Sequence, residues 1–307
     1  GYDVPPTANT GAIRNRGLEI QAGYNRATGR LRWNVTGNVS FIRNKVVALG
    51  DSGATLSEGE QYGDFLTRTE VGQPVAYFRG FLTDGLFQNQ AEIDATNTAP
   101  DGAAFQPGAR PGDIRFKDVN GDGKLDDKDK VNIGHFMPTF SYGLDVSASW
   151  KNFDATVFLQ GVQGNQIYSV VKYELEGMTR LFNAGTAVLN RWTAEGQPTN
   201  VPRAVSGDPN GNARASDRFV EDGSYLRVKN FTLGYSLPAT GLGSFTRGLL
   251  SKARLYLSGQ NLLTLTRYRS GYDPEIGSRY GNSLTNGIDY GQYPQARSLI
   301  VGLQVGF

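Results

Sequence analysis

Residues 17–41 read GLEIQAGYNRATGRLRWNVTGNVSF, and this stretch decides the fold class. Leu18, Ile20, Ala22 and Tyr24 alternate with Gly17, Glu19, Gln21 and Gly23. After a short turn at Gly29, Leu31, Trp33, Val35, Val39 and Phe41 alternate with Arg32, Asn34, Thr36, Asn38 and Ser40. Side chains of a strand point to opposite faces in turn, so period-two alternation on both sides of a glycine turn predicts a β-hairpin with one apolar face.

The same pattern recurs along the chain. Tyr142, Leu144, Val146, Ala148 and Trp150 lead across Lys151-Asn152 into Phe153, Ala155, Val157 and Leu159. Further alternating runs are Phe231, Leu233, Tyr235 and Leu237, then Ala253, Leu255 and Leu257, and finally Leu299, Val301, Leu303, Val305 and Phe307. Composition agrees: 40 glycines in 307 residues, 11% aromatics and only 38% hydrophobics suit an all-β chain better than an aliphatic-rich helical core.

Several classes are excluded. No apolar run approaches the ~20 residues of a spanning helix, and mean hydropathy is −0.40. A spanning strand needs only about 9 to 11 residues, half of them polar, so a membrane barrel stays open. Cysteine is absent, which removes disulfides, thiolate metal sites and a cysteine nucleophile. A net charge of +2 without a like-charge block gives no reason to expect nucleic acid as a partner. The start, Gly1-Tyr2-Asp3-Val4-Pro5-Pro6, has no basic and apolar leader pattern, so either a leader was removed or the chain begins inside a longer protein.

Strands with one apolar and one polar face also build soluble sandwiches. Two features favour a barrel. Aromatics gather where strands meet the short turns, Tyr24 with Trp33, Trp150 with Phe153, and Tyr235 near Pro238, as an interfacial girdle requires. The alternate positions carry Glu, Gln, Asn, Asp, Thr, Ser and Gly, suited to a wet lumen. Connections also alternate, short near Gly29 and Lys151, moderate from Pro238 to Ser251, and long after Asn44, Gly161 and Thr264. With short turns on the periplasmic side, roughly seven crossings are expected; bacterial single-chain barrels have even counts, so the full wall is expected to need further strands. The expected architecture is therefore an open, curved antiparallel sheet, a transmembrane β-barrel segment, with Ile20 and Val305 on its outer face and Gln21 and Gln304 on its inner one. Long extracellular loops are expected near 45–138, 163–215 and 265–291, the first lacking a core unless a metal pins it, and with a short helix around Ala184 to Trp192. Residues Val71 to Phe87 fit either an extra strand or β structure inside a loop.

Few motifs carry chemistry. Gly50-Asp51-Ser52-Gly53 resembles a serine-protease nucleophile signature, but the only histidine, His135, follows it, whereas that family's histidine comes first. His135 reads as a loop or rim residue, and no dinucleotide, P-loop or zincin pattern occurs. The specific motif is DVNGDGKLDDKD, residues 118–129. Asp118, Asn120, Asp122, the Lys124 carbonyl, Asp126 through water and Asp129 stand where an EF-hand-type loop places Ca²⁺ ligands, with Asp in place of the terminal Glu. Oxygens two residues apart in a tight loop converge on a hard cation. An Asp/Asn/Gly-rich solvated turn accounts for the same residues, and both readings stand.

In order along the chain, Asn15-Arg16-Gly17-Leu18-Glu19, Gly112-Asp113-Ile114 running into the 118–129 loop, Arg191-Trp192-Thr193, Asp222-Gly223-Ser224-Tyr225-Leu226-Arg227, Gly259-Gln260-Asn261-Leu262, Asp273-Pro274-Glu275 and the ending at Phe307 resemble the SusC/RagA family of TonB-dependent transporters. Each is weak alone; their order is specific. The resemblance implies that residues 1–307 are the C-terminal part of a barrel of about 22 strands, in the outer membrane of a Gram-negative, Bacteroidetes-like bacterium, with the plug domain and TonB box absent from this stretch. It implies import of glycans, peptides or similar oligomers, with a SusD-like surface lipoprotein and the TonB complex as partners. Outer-membrane lipid and the barrel-assembly machinery complete the expected partners, and Leu299, Val301, Leu303, Val305 and Phe307 are the expected assembly signal, an alternating strand ending in an aromatic.

Two rivals remain from the residues alone, a secreted or surface calcium-binding β protein acting as an adhesin, and a glycan-active β enzyme with a carboxylate pair. A soluble fold without detergent would mark the first, and oligosaccharide turnover the second.

Overall fold

A computed structural model describes residues 11–50, 53–61, 63–99, 101–180, 182–238 and 249–307. Asp51 and Ser52 of the protease-like tetrapeptide, the opening Gly1 to Pro6, and most of the turn from Pro238 to Ser251 lie outside the described residues.

Seven long strands form one antiparallel sheet: β1 (Gly11–Arg26), β2 (Leu31–Leu49), β3 (Phe140–Trp150), β4 (Phe153–Gln163), β5 (Tyr225–Ser236), β6 (Lys252–Thr266) and β7 (Ser298–Gly306). They lie side by side in chain order. The seven expected crossings are these strands. Among the described residues, strands β1 and β7 each pair on one side only, so the sheet is open at both edges there.

The register converts sequence alternation into two faces. One cross-strand row runs Leu31, Trp150, Phe153, Tyr235, Leu255, Leu303; the next on that face runs Trp33, Ala148, Ala155, Leu233, Leu257, Val301. The row between them, Arg32, Ser149, Asp154, Gly234, Tyr256 and Gly302, faces the other way, as does the row beyond, with Asn34, Ser147, Thr156, Thr232, Ser258 and, at the edge, Ile300. Ile20 lies on the apolar face opposite Val39, and Gln21 on the polar face opposite Asn38. At the other edge Val305 lies opposite Ala253 and Gln304 opposite Arg254.

Among the described residues no second sheet covers the apolar face. Leu255, Leu303 and Val301 are 52%, 66% and 75% exposed, which a sandwich, burying its apolar rows against a facing sheet, does not permit. Aromatics bound this face at both ends. At the short-turn end the tilted rings of Phe153 and Tyr235 meet at 4.8 Å and those of Tyr24 and Trp33 at 5.1 Å, with Lys151 over Trp150. At the other end Phe41 meets Phe140 at 5.6 Å and Phe140 meets Tyr142 at 5.9 Å. From Trp150 back to Phe140, β3 is 11 residues; about ten steps of ~3.3 Å, tilted ~45°, give a band of roughly 23 Å, the apolar height of a barrel wall.

The first long connection differs from expectation, because it shares a core with the other two. Leu56–Gln61, Asp64–Thr69, Tyr77–Gly80 and Val131–Gly134 make a four-stranded sheet; Val220–Asp222, Gln166–Ser169 and Ile288–Asp289 make a three-stranded one; and Thr83–Leu86 pairs with Ile114–Phe116. Leu66 and Phe78 from the first long connection, Tyr168 and Phe219 from the second, and Ile288 from the third are packed in one cluster. No segment alone carries enough patterned apolar residues to reveal this, since the core exists only when three distant segments meet. Residues 71–87 are thereby resolved, as Tyr77–Gly80 and Thr83–Leu86 belong to this cap and not to the wall. The helix expected near Ala184 is a short 3-10 turn, Thr186–Asn190, while α-helices form at Gln90–Thr96 and Val170–Glu176.

Candidate functional site

The polar face of the wall and the cap tied to it form the candidate site. Asn44, on the polar side of β2, accepts the Val75 N–H at 2.9 Å, and Val46 exchanges backbone bonds with Gln73 and Gly72. The cap therefore sits at the long-loop end, on the polar side.

On that face Arg254 of β6 bonds Asp154 of β4, its Nε 2.9 Å from the carboxylate, although β5 lies between them. It crosses Gly234, where a Cβ would collide with the guanidinium. The absent side chain leaves the path, so glycine on the polar face serves reach and not only turning.

Higher on the face, Arg227 is 1% exposed and splits its donors among Thr264 Oγ1 at 2.9 Å, Asp273 at 2.6 Å and Glu275 at 2.6 Å. Lys229 adds 3.1 Å to Glu275. A buried guanidinium is tolerable only when its donors are taken, and here two landmarks, Arg227 and Asp273-Pro274-Glu275, supply each other. Beside them, β6 bulges at Asn261-Leu262 opposite Lys229 of β5; Asn261 has φ 50°, and its amide donates to the Ala296 carbonyl. That bulge is the structural content of Gly259-Gln260-Asn261-Leu262.

Deeper in the cap, Asp113 is fully buried and receives Arg203 at 2.8 and 3.0 Å, the Asn212 amide at 2.8 Å and the Arg110 N–H at 2.8 Å. Gly112, at φ 87°, lies under the Trp192 ring, with no room for a Cβ. Gly112-Asp113-Ile114 and Arg191-Trp192-Thr193 are thus one contact. Tyr268 donates to Asp289 at 2.5 Å, and burial together with that carboxylate pushes its phenol above the usual range. Burial alone would raise Glu221; bonds from Ser270, the Arg269 N–H and Lys172 hold it below the ordinary carboxylate value.

The 118–129 loop is wound by its own hydrogen bonds. Asp118 accepts from the N–H groups of Gly121 and Gly123 at 2.7 and 2.8 Å, Asn120 from Asp122 at 2.9 Å, Asp122 from Lys124 at 3.0 Å, and Asp126 from Lys128 at 2.8 Å. Asp129, fully buried, takes Val119 and Asp126 at 2.9 Å each. Among the described residues no three Asp, Glu, His or Cys side chains gather as a metal-holding group. His135 sits at the rim, its Nδ1 2.8 Å from the Met137 carbonyl oxygen. Leu299, Val301, Leu303 and Val305 line the exposed apolar face of edge strand β7, and Phe307 is 89% exposed.

Sequence reading missed the Asp154 and Arg254 pair and the Arg227 clasp. The only signal for either was charge at polar-face positions, which names no partner.

No family model matches the chain. The TonB-dependent receptor P3 of Formosa agariphila is 35% identical over 309 residues, covering 97% of this chain and 29% of that protein. The TonB-dependent receptor SusC of Bacteroides thetaiotaomicron is 25% identical over 100% of this chain and 28% of its own length. Among solved structures, that of the RagAB peptide transporter superposes with a TM-score of 0.73 at 21% identity, covering 97% of this chain and 30% of that one. The chain spans about three tenths of the length of the proteins it matches. With its two-faced open wall and its paired landmarks, it belongs to the TonB-dependent receptors of the SusC/RagA type.

Proposed function

We propose that the chain forms part of the wall and extracellular cap of an outer-membrane importer for glycans, peptides or similar oligomers. The observation that carries this is the single sheet with an exposed apolar face between two aromatic belts and a polar face beneath a cap. Lipid suits the first face and water the second. SusC and the RagAB peptide transporter are the relatives that favour oligomer import. In this reading the receptor lies in the outer membrane of a Bacteroidetes-like bacterium, draws energy from the TonB complex, and takes substrate from a SusD-like lipoprotein closing over it. It acts as a transporter without catalysis, a reading supported by relatives that are receptors and transporters.

The experiment is deletion of the receptor gene in its own host, followed by membrane fractionation and growth on panels of oligosaccharides and oligopeptides. Loss of growth on one panel member, restored by the intact gene, is the expected result. A receptor recovered from the soluble fraction, or growth unchanged on every oligomer, overturns the reading.

Assembly belongs to the same reading. Leu299, Val301, Leu303, Val305 and Phe307 present one alternating apolar edge to the insertion machinery. Replacing Phe307 by Ala is expected to lower the outer-membrane level of the receptor on quantitative blotting; an unchanged level would leave Phe307 as a belt residue alone.

A further inference from the structure

The apolar face does not stay apolar to the top of β1 and β2. Above the Leu18 and Phe41 rung, Arg16 stands opposite Arg43, and above that Arg14 stands opposite Lys45. Directly opposed residues of an antiparallel pair share a face, so these four cations continue the column of Tyr24, Ala22, Ile20 and Leu18 on the membrane side. The polar column beside it, with Glu19, Gln21 and Asn25, points the other way. All four are exposed, and among the described residues no side chain pairs with them.

Like charges directly opposed in a sheet repel, and with no carboxylate beside them among the described residues, two such rungs in succession favour an anion between them. Their level identifies the anion. They begin one rung beyond the Phe41 and Phe140 belt that ends the apolar band on the long-loop side, at the depth of the outer headgroups. Beside them, a cavity of about 770 Å³ between upper β2 and the chain entering β3 has Arg16, Leu18, Phe41 and Arg43 on its membrane side, and it reaches Asn44 and the cap residues Pro74 and His135 on its other side. Cations above an apolar floor match a phosphate above an acyl chain.

We propose that Arg14, Arg16, Arg43 and Lys45 bind the phosphorylated headgroup of an outer-leaflet glycolipid, with Leu18 and Phe41 against its first acyl carbons. Guanidinium forks suit phosphate oxygens, and basic clusters at a headgroup level hold anionic lipid. This inference rests on the outer-membrane reading above.

The test purifies the intact receptor from outer membranes in mild detergent and measures bound glycolipid by mass spectrometry. Wild type is expected to retain phosphorylated glycolipid and to reject its dephosphorylated form; the Arg14→Gln, Arg16→Gln, Arg43→Gln, Lys45→Gln variant loses it, while Lys151→Gln, at the opposite belt, retains it. Heat-modifiable migration verifies folding, and the Arg16→Gln, Arg43→Gln pair substitutes if the fourfold variant misfolds. Equal retention by folded variants, equal binding of the dephosphorylated lipid, or displacement by millimolar inorganic phosphate overturns the glycolipid site and leaves the importer reading intact. A receptor absent from the outer-membrane fraction overturns both.

Discussion

Arg254 reaches Asp154 across the backbone of Gly234, joining two strands that are not neighbours through the gap a missing side chain leaves. Gly234→Val is expected to push the guanidinium aside and break the pair with little cost in stability, under about 1 kcal/mol, because both side chains are partly solvated. A double-mutant cycle with Asp154→Asn, read by urea unfolding in detergent, should give non-additive losses. Strict additivity would show that the pair contributes nothing.

Arg227 is a different case, since it is buried and its partners Asp273 and Glu275 stay behind when it is removed. Arg227→Met is expected to cost about 3–5 kcal/mol and to open residues 267–297 to limited proteolysis, since the clasp ties that segment to β5. Arg227→Lys should recover only part of this, lacking the fork that spans two carboxylates. Wild-type protease resistance in the Met variant would exclude the clasp.

Acid should loosen the cap in a defined window. The Arg79 hydrogen bond and charge hold Asp127 down to about 2, below its ordinary 3.8. A depressed carboxylate stabilises fully above its unfolded value and loses that contribution as pH falls through the folded one, so the loss runs from about pH 4 to about pH 2. Asp127 is largely exposed, so the effect is small. Proteolysis of the cap by an acid-active protease should accelerate across that window, and Arg79→Gln should remove the step. An identical step in Arg79→Gln would assign it to other groups.

The wall was legible in the sequence because alternation is local: Leu31 to Phe41 states its faces without reference to any other strand. The cap was not, because its core joins Leu66, Tyr168 and Ile288, more than a hundred residues apart from one to the next. The landmarks fell between these cases. Gly112 and Trp192, or Arg227 and Asp273, were each visible as residues, but their pairing depends on loop paths that no local period encodes.

The 118–129 loop keeps both of its readings, and its hydrogen bonds sharpen the choice. Asp118, Asn120, Asp122, Asp126 and Asp129 each accept backbone N–H groups, so the chain's own donors already hold the turn. A carboxylate oxygen has more than one lone-pair direction, and one that accepts an N–H can still ligate a hard cation. Asp118, Asp122 and Asp129 do not gather as a metal-holding group in the wound loop, so we propose that Ca²⁺ binds here only weakly, at about 10⁻⁴ to 10⁻³ M, by drawing Asp118, Asn120, Asp122 and Asp129 together with the Lys124 carbonyl and a water on Asp126. Because the loop is wound beforehand, calcium should alter its protease resistance modestly and leave the cap folded when chelated. Calorimetric titration of the receptor should show the uptake, and the Asp118→Ala, Asp122→Ala variant should abolish it. If both proteins give the same heat and the same cleavage pattern with and without calcium, the loop is a hydrogen-bonded turn, and its carboxylates serve the backbone alone.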